Sequence, residues 1–368
     1  MLLDLKVNVL WCATIKHKFN AVAHGKVFKS PSDLIVTVGE DGIIRVYKAP
    51  ENVPVDQHLV LEPQRCLETK CGPATNVLLK DVTRLCPCDM IVSDTRGSVV
   101  LFCDGQILIR KCSISGKASR VSALEVQETA LGHVCVVVGY DDGVVSCFNT
   151  FSQLWKIRLH DVTKETTQKS VSVTSILAAS IVSSTSVGTA EDYLLVTDSQ
   201  GYLHILQEEN VLRSIHVGAV VTTMSAGCFL QADDSSSSKS LTQIALGCAD
   251  GLIWISVDFN IDKSAPYAQV GHPITHLWRL RTKSNFVQFT ATNTGNDNVD
   301  LLVCGGHFSC LKLLQHGKVV QSFSLPSWPV SVCGLMDSEA EDFPNPPSCG
   351  HLLVGCQDST LHCLSITG

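Results

Sequence analysis

Seven stretches of the chain repeat one pattern: an apolar, β-branched run, a short polar turn, and a second apolar run. The clearest copy spans residues 133–148. Val134 to Val138 has the character of a buried strand, Asp142-Gly143 is a strong signal for a two-residue hairpin turn needing positive φ, and Val144 to Phe148 follows at once. Gln153 to Leu159 then alternates, with Trp155, Ile157 and Leu159 on one side and Leu154, Lys156 and Arg158 on the other. The remaining hairpins fall at 33–47, 89–103, 192–206, 242–255, 299–314 and 350–364, with turns at 42, 97, 143, 201, 251, about 309 and 359. A period near fifty residues built only from strands predicts a β-propeller with one four-stranded blade per repeat. Seven copies predict an all-β, seven-bladed ring occupying residues 1–368 as one domain.

Each hairpin is preceded by a short run that should lie nearest the axis: Ala21–Ala23, Ala74–Leu79, Val121–Leu124, Val173–Leu177, Val220–Met224, Ile274–Trp278 and Val330–Cys333. Small and polar residues alternate with apolar ones in these runs, as crowding around a channel requires. Val7 to Ile15 is a strand without a hairpin of its own, and the chain ends directly after the seventh hairpin. The N-terminal segment is therefore expected to supply the outermost strand of the last blade and so close the ring. Ala49 to Cys71, with Pro50, Pro54 and Pro63, is expected to link the first two blades. Ala232 to Ser240 is low in complexity, and its Ser235–Ser238 run could accept phosphate, although a plain flexible loop is the better explanation.

The net charge of −7 argues against nucleic acid as a direct partner, because neutralising phosphates needs a basic face. Charged residues make up 17% of the chain, against about 25% in ordinary soluble domains. That deficit fits an outer surface partly covered by partners, and it equally fits β-repeats rich in Val, Leu and Ser. Asp4 and Lys6 interrupt what would be the apolar part of an export signal, and no run of eighteen apolar residues occurs. The expectation is an intracellular protein, cytoplasmic or nuclear, not secreted and without membrane insertion. Seventeen cysteines, an odd number and many of them inside strands, suit a reducing compartment. The dense group Cys66, Cys71, Cys86 and Cys88 lacks the paired spacing of structural zinc sites and reads as loop and strand cysteines.

No nucleophile elbow, phosphate-cradling glycine loop or H-E-x-x-H sequence is present, so no catalytic, cofactor-binding or metal-binding residue is assigned. His24, His276 and His307 fall at scattered places in the repeats and do not suggest a shared metal site. The candidates for partner binding are Trp278, Arg279 and Arg281, which with Lys283 form the nearest thing to a basic cluster, and Trp328, placed on a rim by Pro326 and Pro329.

The run D-L-I-V-T-V-G-E-D-G-I-I-R-V-Y at Asp33–Tyr47, and V-V-V-G-Y-D-D-G-V-V-S-C-F with L-W-K-I after it, resemble the repeats of quinoprotein-like, integrin-alpha-like (FG-GAP) and WD-repeat propellers. The Trp-Asp dipeptide of WD repeats is absent, and its Gly-His partner survives at Gly132-His133, Gly271-His272 and Gly350-His351. The aspartate-rich calcium loop of integrin-type repeats is absent too. The resemblance implies a subunit of a stable protein assembly, and with no reactive group in a protected setting the expected role is a non-catalytic scaffold with no cofactor or small-molecule ligand. Two alternatives stand beside it. A receptor for peptides at a propeller face would want a ring of cationic or aromatic residues at a channel mouth. A quinone-dependent or other propeller enzyme would want an export signal and metal-coordinating residues near the axis.

Overall fold

A computed structural model describes residues 5–50, 59–112, 119–129, 132–160, 170–182, 190–230, 241–281, 299–335 and 348–367. Ser235–Ser238 lies outside them. The chain is an all-β, seven-bladed propeller. Each blade is an antiparallel meander; in the third, Val121–Glu128, Val134–Tyr140, Val144–Phe148 and Gln153–Arg158 pair in that order. The innermost strands are Ala21–Gly25, Ala74–Lys80, Val121–Glu128, Val173–Ile181, Val221–Gly227, Ile274–Leu280 and Pro329–Leu335.

The core lies between blades. Val137 and Val145 of the third blade pack on Val173, Ile176 and Val196 of the fourth, and equivalent buried clusters fill the other junctions. The last junction sets Trp11, Ala13, Leu353 and Leu361 against Val22, Ile35 and Tyr47 of the first blade. Lys6–Ile15 runs antiparallel to Thr360–Thr367, with Val7 opposite Ile366 and Thr14 opposite Thr360.

Glycines at the end of second strands make these junctions possible. A Cβ on Gly139 would stand 2.4 Å from the Val173 side chain of the next blade, and one on Gly355 would stand 2.6 Å from Phe19. The glycine that closes the "valine-valine-glycine" element of the repeat is thus where the following blade presses in.

The tight turns differ from the sequence expectation. Between second and third strands only the last turn residue has positive φ, as at Gly143 (77°), and its N–H bonds back three residues to the Tyr140 carbonyl. This is a turn with a glycine bulge, not a two-residue turn. Ser359 takes the same conformation at φ 67°. Two consecutive positive-φ residues, the mark of the two-residue type, occur instead between third and fourth strands at Asp104-Gly105 and His316-Gly317. In the sixth blade the reversal centres on His307, with Gly306 opposite Phe308, rather than near 309.

The proline-bearing stretch after the first hairpin also departs from expectation. Arg65–Glu68 is the fourth strand of the first blade. Leu59–Leu61 pairs parallel to Ala13–Ile15, so the last sheet carries a fifth strand outside the N-terminal one. In the fifth blade the fourth position is shared by Asn260–Ile261 and Ala268–Gln269.

Two sets of bulges recur around the ring. In the innermost strands of blades two to six, the bulged residue carries a hydroxyl: Thr75, Ser122, Thr174, Thr222 and Thr275. Some of these hydroxyls stitch neighbouring blades. Thr174 Oγ1 donates to the Val221 carbonyl at 2.6 Å, and Thr222 Oγ1 donates to the Ile274 carbonyl. Across the last junction Ser331 Oγ accepts from Val22 N at 3.1 Å and donates to Val22 O at 3.0 Å. In outer strands the bulged residue is aliphatic and turned outward: Leu10, Leu108, Leu154 and Leu212 are each at least 38% exposed.

Candidate interaction faces

The strand register divides the candidate residues between the two faces of the ring. Ile274–Leu280 begins opposite Gly306, at the tight-turn end, and finishes opposite Leu301, at the end where the long loops leave. Arg279 and Arg281 therefore lie towards the loop face. Trp328 precedes Pro329, which pairs with Cys356 beside the last tight turn, so it lies on the turn face.

Trp278 is half-buried. It packs against the cluster of Leu280, Leu301 and Val303, and its ring covers Gly334 of the next inner strand, where a Cβ would stand 2.7 Å from the indole. Arg279 is tethered. Its Nε lies 2.9 Å from Asp300 Oδ2, and a guanidinium N–H donates to the Ala226 carbonyl at 3.2 Å. Asp300, itself buried, accepts from Cys228 N at 2.9 Å, so the pair joins the fifth and sixth blades. Burial draws Arg279 below its ordinary value while Asp300 opposes that shift. Arg281 is exposed.

Trp328 is 43% exposed and stacks on the exposed imidazole of His307, with centroids 5.1 Å apart and planes 18° from parallel. Next to His307 in the chain, Phe308 meets His272 at 6.0 Å, and the Lys312 ammonium lies 5.4 Å from the Phe308 centroid. The sequence reading missed His307, Phe308 and His272 as companions of Trp328. The available signal was Gly305-Gly306-His307-Phe308, which stands where other repeats have Asp-Gly.

Buried polar groups elsewhere hold turns in place. Asp198 Oδ2 lies 3.0 Å from His204 Nε2, and His204 Nδ1 lies 2.8 Å from Ser214 Oγ. The order is that of a hydrolase relay, but the serine meets Nδ1 and the aspartate Nε2, the reverse of the arrangement that deprotonates a nucleophile. Asp198 also accepts from Gln200 N and Tyr202 N. In the first blade Arg45, at the strand position of His204, pairs with the turn residue Asp41. In the seventh, Thr360 links Asp358 to His362. A side chain of the third strand gripping a turn acid is thus a recurring staple.

Burial pushes the Cys248, Cys304, Cys333 and Cys356 thiols up to about 12, which leaves them protonated and poor nucleophiles. Among the described residues one group of side chains could hold a metal ion: Cys86, Asp89 and Cys103. A small open cleft of about 40 Å³ lies between the second and third blades, with Lys111, Tyr140, Ser146 and Lys156 in its wall.

No family model and no curated protein matches the chain. Solved structures do resemble it. The propeller of BBS1N, crystallised in complex with ARL6DN and soaked with mercury, superposes with a TM-score of 0.61 at 13% identity, covering 99% of this chain and 95% of that one. The lead-soaked form of the same complex gives 0.62 at 13% identity, covering 98% and 96%. The WD40 propeller domain of Doa1 gives 0.60 at 14% identity, covering 95% and 93%. At these identities the likeness is one of fold. No helix among the described residues is long and apolar enough to cross a membrane.

Proposed function

We propose that this chain is a protein-interaction propeller that acts as a subunit of an intracellular multiprotein assembly and performs no catalysis of its own. The Trp328–His307 stack carries the reading. An indole 43% exposed and held flat on an exposed imidazole is a rigid, amphipathic anchor of the kind that dominates protein interfaces. The exposed His272 and half-buried Lys312, both set against the buried Phe308, extend it between blades five and seven. Arg281, on the opposite face, is a second contact point in this reading, with Trp278 and Arg279 close before it in the chain. BBS1N is a propeller of the same architecture seen with a protein bound, ARL6DN. The peptide-receptor alternative has less support, because the bulged positions of the innermost strands carry hydroxyls rather than a cationic ring.

The test is affinity purification of the tagged chain from its native cells, compared with Trp328→Ala, followed by mass spectrometry and sizing. The expected result is stoichiometric recovery of a fixed protein set with the wild type and its loss with the variant, whose circular dichroism stays unchanged. Wild-type chain recovered alone, or a variant that keeps the whole set, would sink the proposal.

A further inference from the structure

The loop joining the first two strands of the second blade, residues 81–88, delivers Cys86 to Asp89, the first residue of the second strand. The same hairpin returns Cys103, the last residue of the third strand, to that end of the blade. Asp89 is fully buried, Cys86 is 6% exposed and Cys103 is half-buried. The two Sγ atoms and a carboxylate oxygen all lie within 4.8 Å of one another. We infer that Cys86, Cys103 and Asp89 form a site for one thiophilic divalent cation of the zinc type.

Three observations support the assignment. The donor set comes first. Two thiolates and a carboxylate suit zinc or cadmium, and in a tetrahedral site with Zn–S near 2.3 Å the ligand atoms stand roughly 3.5–3.7 Å apart. Closing from the present spacing takes about 1 Å, which side-chain rotation supplies.

The second is the orientation of the carboxylate. Asp89 Oδ2 accepts from Val82 N at 2.9 Å and Thr83 N at 2.7 Å, and Oδ1 accepts from Thr83 Oγ1 at 3.0 Å. Oδ1 keeps a lone pair, and the Thr83 hydroxyl also lies 3.8 Å from Cys103 Sγ. Hydrogen bonds that fix a ligand's direction are typical of metal sites.

The third is a comparison within the chain. Gln243 is the residue equivalent to Asp89 in the fifth blade, and its Oε1 accepts from Phe229 N and Leu230 N, both at 2.6 Å. Holding the loop therefore needs an acceptor, not a charge. A buried carboxylate is costly unless paired. Among the described residues no lysine or arginine pairs with Asp89. The Asp89 carboxyl stands where two thiols meet. Cys88 takes no part, because its Sγ points at Gly25 of the first blade, 3.8 Å from where a Cβ would stand.

The test uses the reduced, chelator-stripped full chain titrated with Cd²⁺. Native mass spectrometry counts bound ions, and the ultraviolet cadmium–thiolate band counts sulfur ligands. The expected result is one ion above background, held by two thiolates and displaced by Zn²⁺. Cys86→Ser/Cys103→Ser should lose that ion and its band, whereas Cys66→Ser and Cys112→Ser, which remove exposed thiols, should keep both. Asp89→Asn keeps an acceptor for the loop and should bind at least ten-fold more weakly. The wild type gives an answer even if the double variant fails to fold: Zn²⁺ should shield Cys103 from alkylation, mapped by peptide, while Cys66 and Cys112 go on reacting. No ion bound by the wild type, a full equivalent retained by the double variant, or metal bound without shielding of Cys103 would each overturn the assignment.

Discussion

Glu125 and His276 sit on innermost strands and pull stability in opposite directions with pH. Desolvation raises Glu125 to about 7, with the Val126 N–H opposing, and lowers His276 to about 4. The folded state therefore holds the Glu125 proton more tightly than the unfolded chain, whose carboxyl titrates near 4.3. That contribution is complete below about 4.3 and is lost as pH rises through 7. His276 titrates near 6.5 when unfolded, so protonation favours unfolding, and stability falls as pH drops from about 6.5 through 4. Glu125→Gln is predicted to stabilise the chain by about 2–3 kcal/mol at pH 8 and by almost nothing at pH 4. Urea denaturation at the two pH values checks this, and an equal gain at both would show that desolvation of Glu125 is not the cause. What could be read at single residues followed chemistry visible in one dimension. Asp-Gly marked the turns, and β-branched runs marked buried strands. The neighbours of a side chain could not be read in the same way. Trp278 and Trp328 look alike in sequence, yet one roofs a glycine of the next blade and the other faces outward. Cys86 finds Cys103 through a hairpin, whereas spacing alone had grouped it with Cys66, Cys71 and Cys88.

At the scale of strands, bulges recur at matching places in successive blades. A bulge adds twist and re-aims one side chain. On the inner strand the freed residue is a hydroxyl that can reach the neighbouring blade, and on the outer strand it is an aliphatic turned to the rim. Ser331 does the bridging where the two ends of the ring meet, and it is not itself the bulged residue, since Val330 is. Ser331→Ala removes both bonds to Val22 and leaves a backbone N–H without its partner. The predicted loss is about 1–3 kcal/mol, read from the urea midpoint. The same change at Ser30, an exposed loop hydroxyl, should cost under about 0.5 kcal/mol. Equal losses would discount the stitch. Strands built from β-branched runs were legible. Arg65–Glu68 was not, because it is short, polar and follows three prolines, and only pairing with Ile43–Val46 makes it a strand. The split outer strand of the fifth blade was hidden for the same reason.

For the whole molecule, the seam decides stability. The seventh sheet draws strands from both ends of the described chain, and Trp11, Ala13 and Ile15 are buried in the junction with the first blade. Removing residues 1–15 uncovers Thr360–Thr367 as an open edge and strips that junction of Trp11, Ala13 and Ile15. The truncated chain is predicted to elute as oligomers and to bind a hydrophobic dye, and a synthetic peptide of residues 5–16 added in trans should restore the monomer. A truncated chain that stays monomeric with an unchanged melting temperature would show that the remaining six junctions suffice.

The fifth strand of that sheet, Leu59–Leu61, lies outside the N-terminal strand and parallel to it. Two early segments are thus assembled on a strand made roughly 350 residues after the first of them. At about 5–20 residues per second, Lys6–Ile15 waits roughly 20–70 seconds for Thr360–Thr367 to emerge. Throughout that interval Trp11, Ala13 and Ile15 can shelter against Val22, Ile35 and Tyr47 of the first blade and against Leu59 and Leu61, but lack Leu353, Leu361 and Cys363. The early parallel pair is therefore one part of a provisional cover for the nascent chain, and the seam is where the need for a chaperone during synthesis would concentrate.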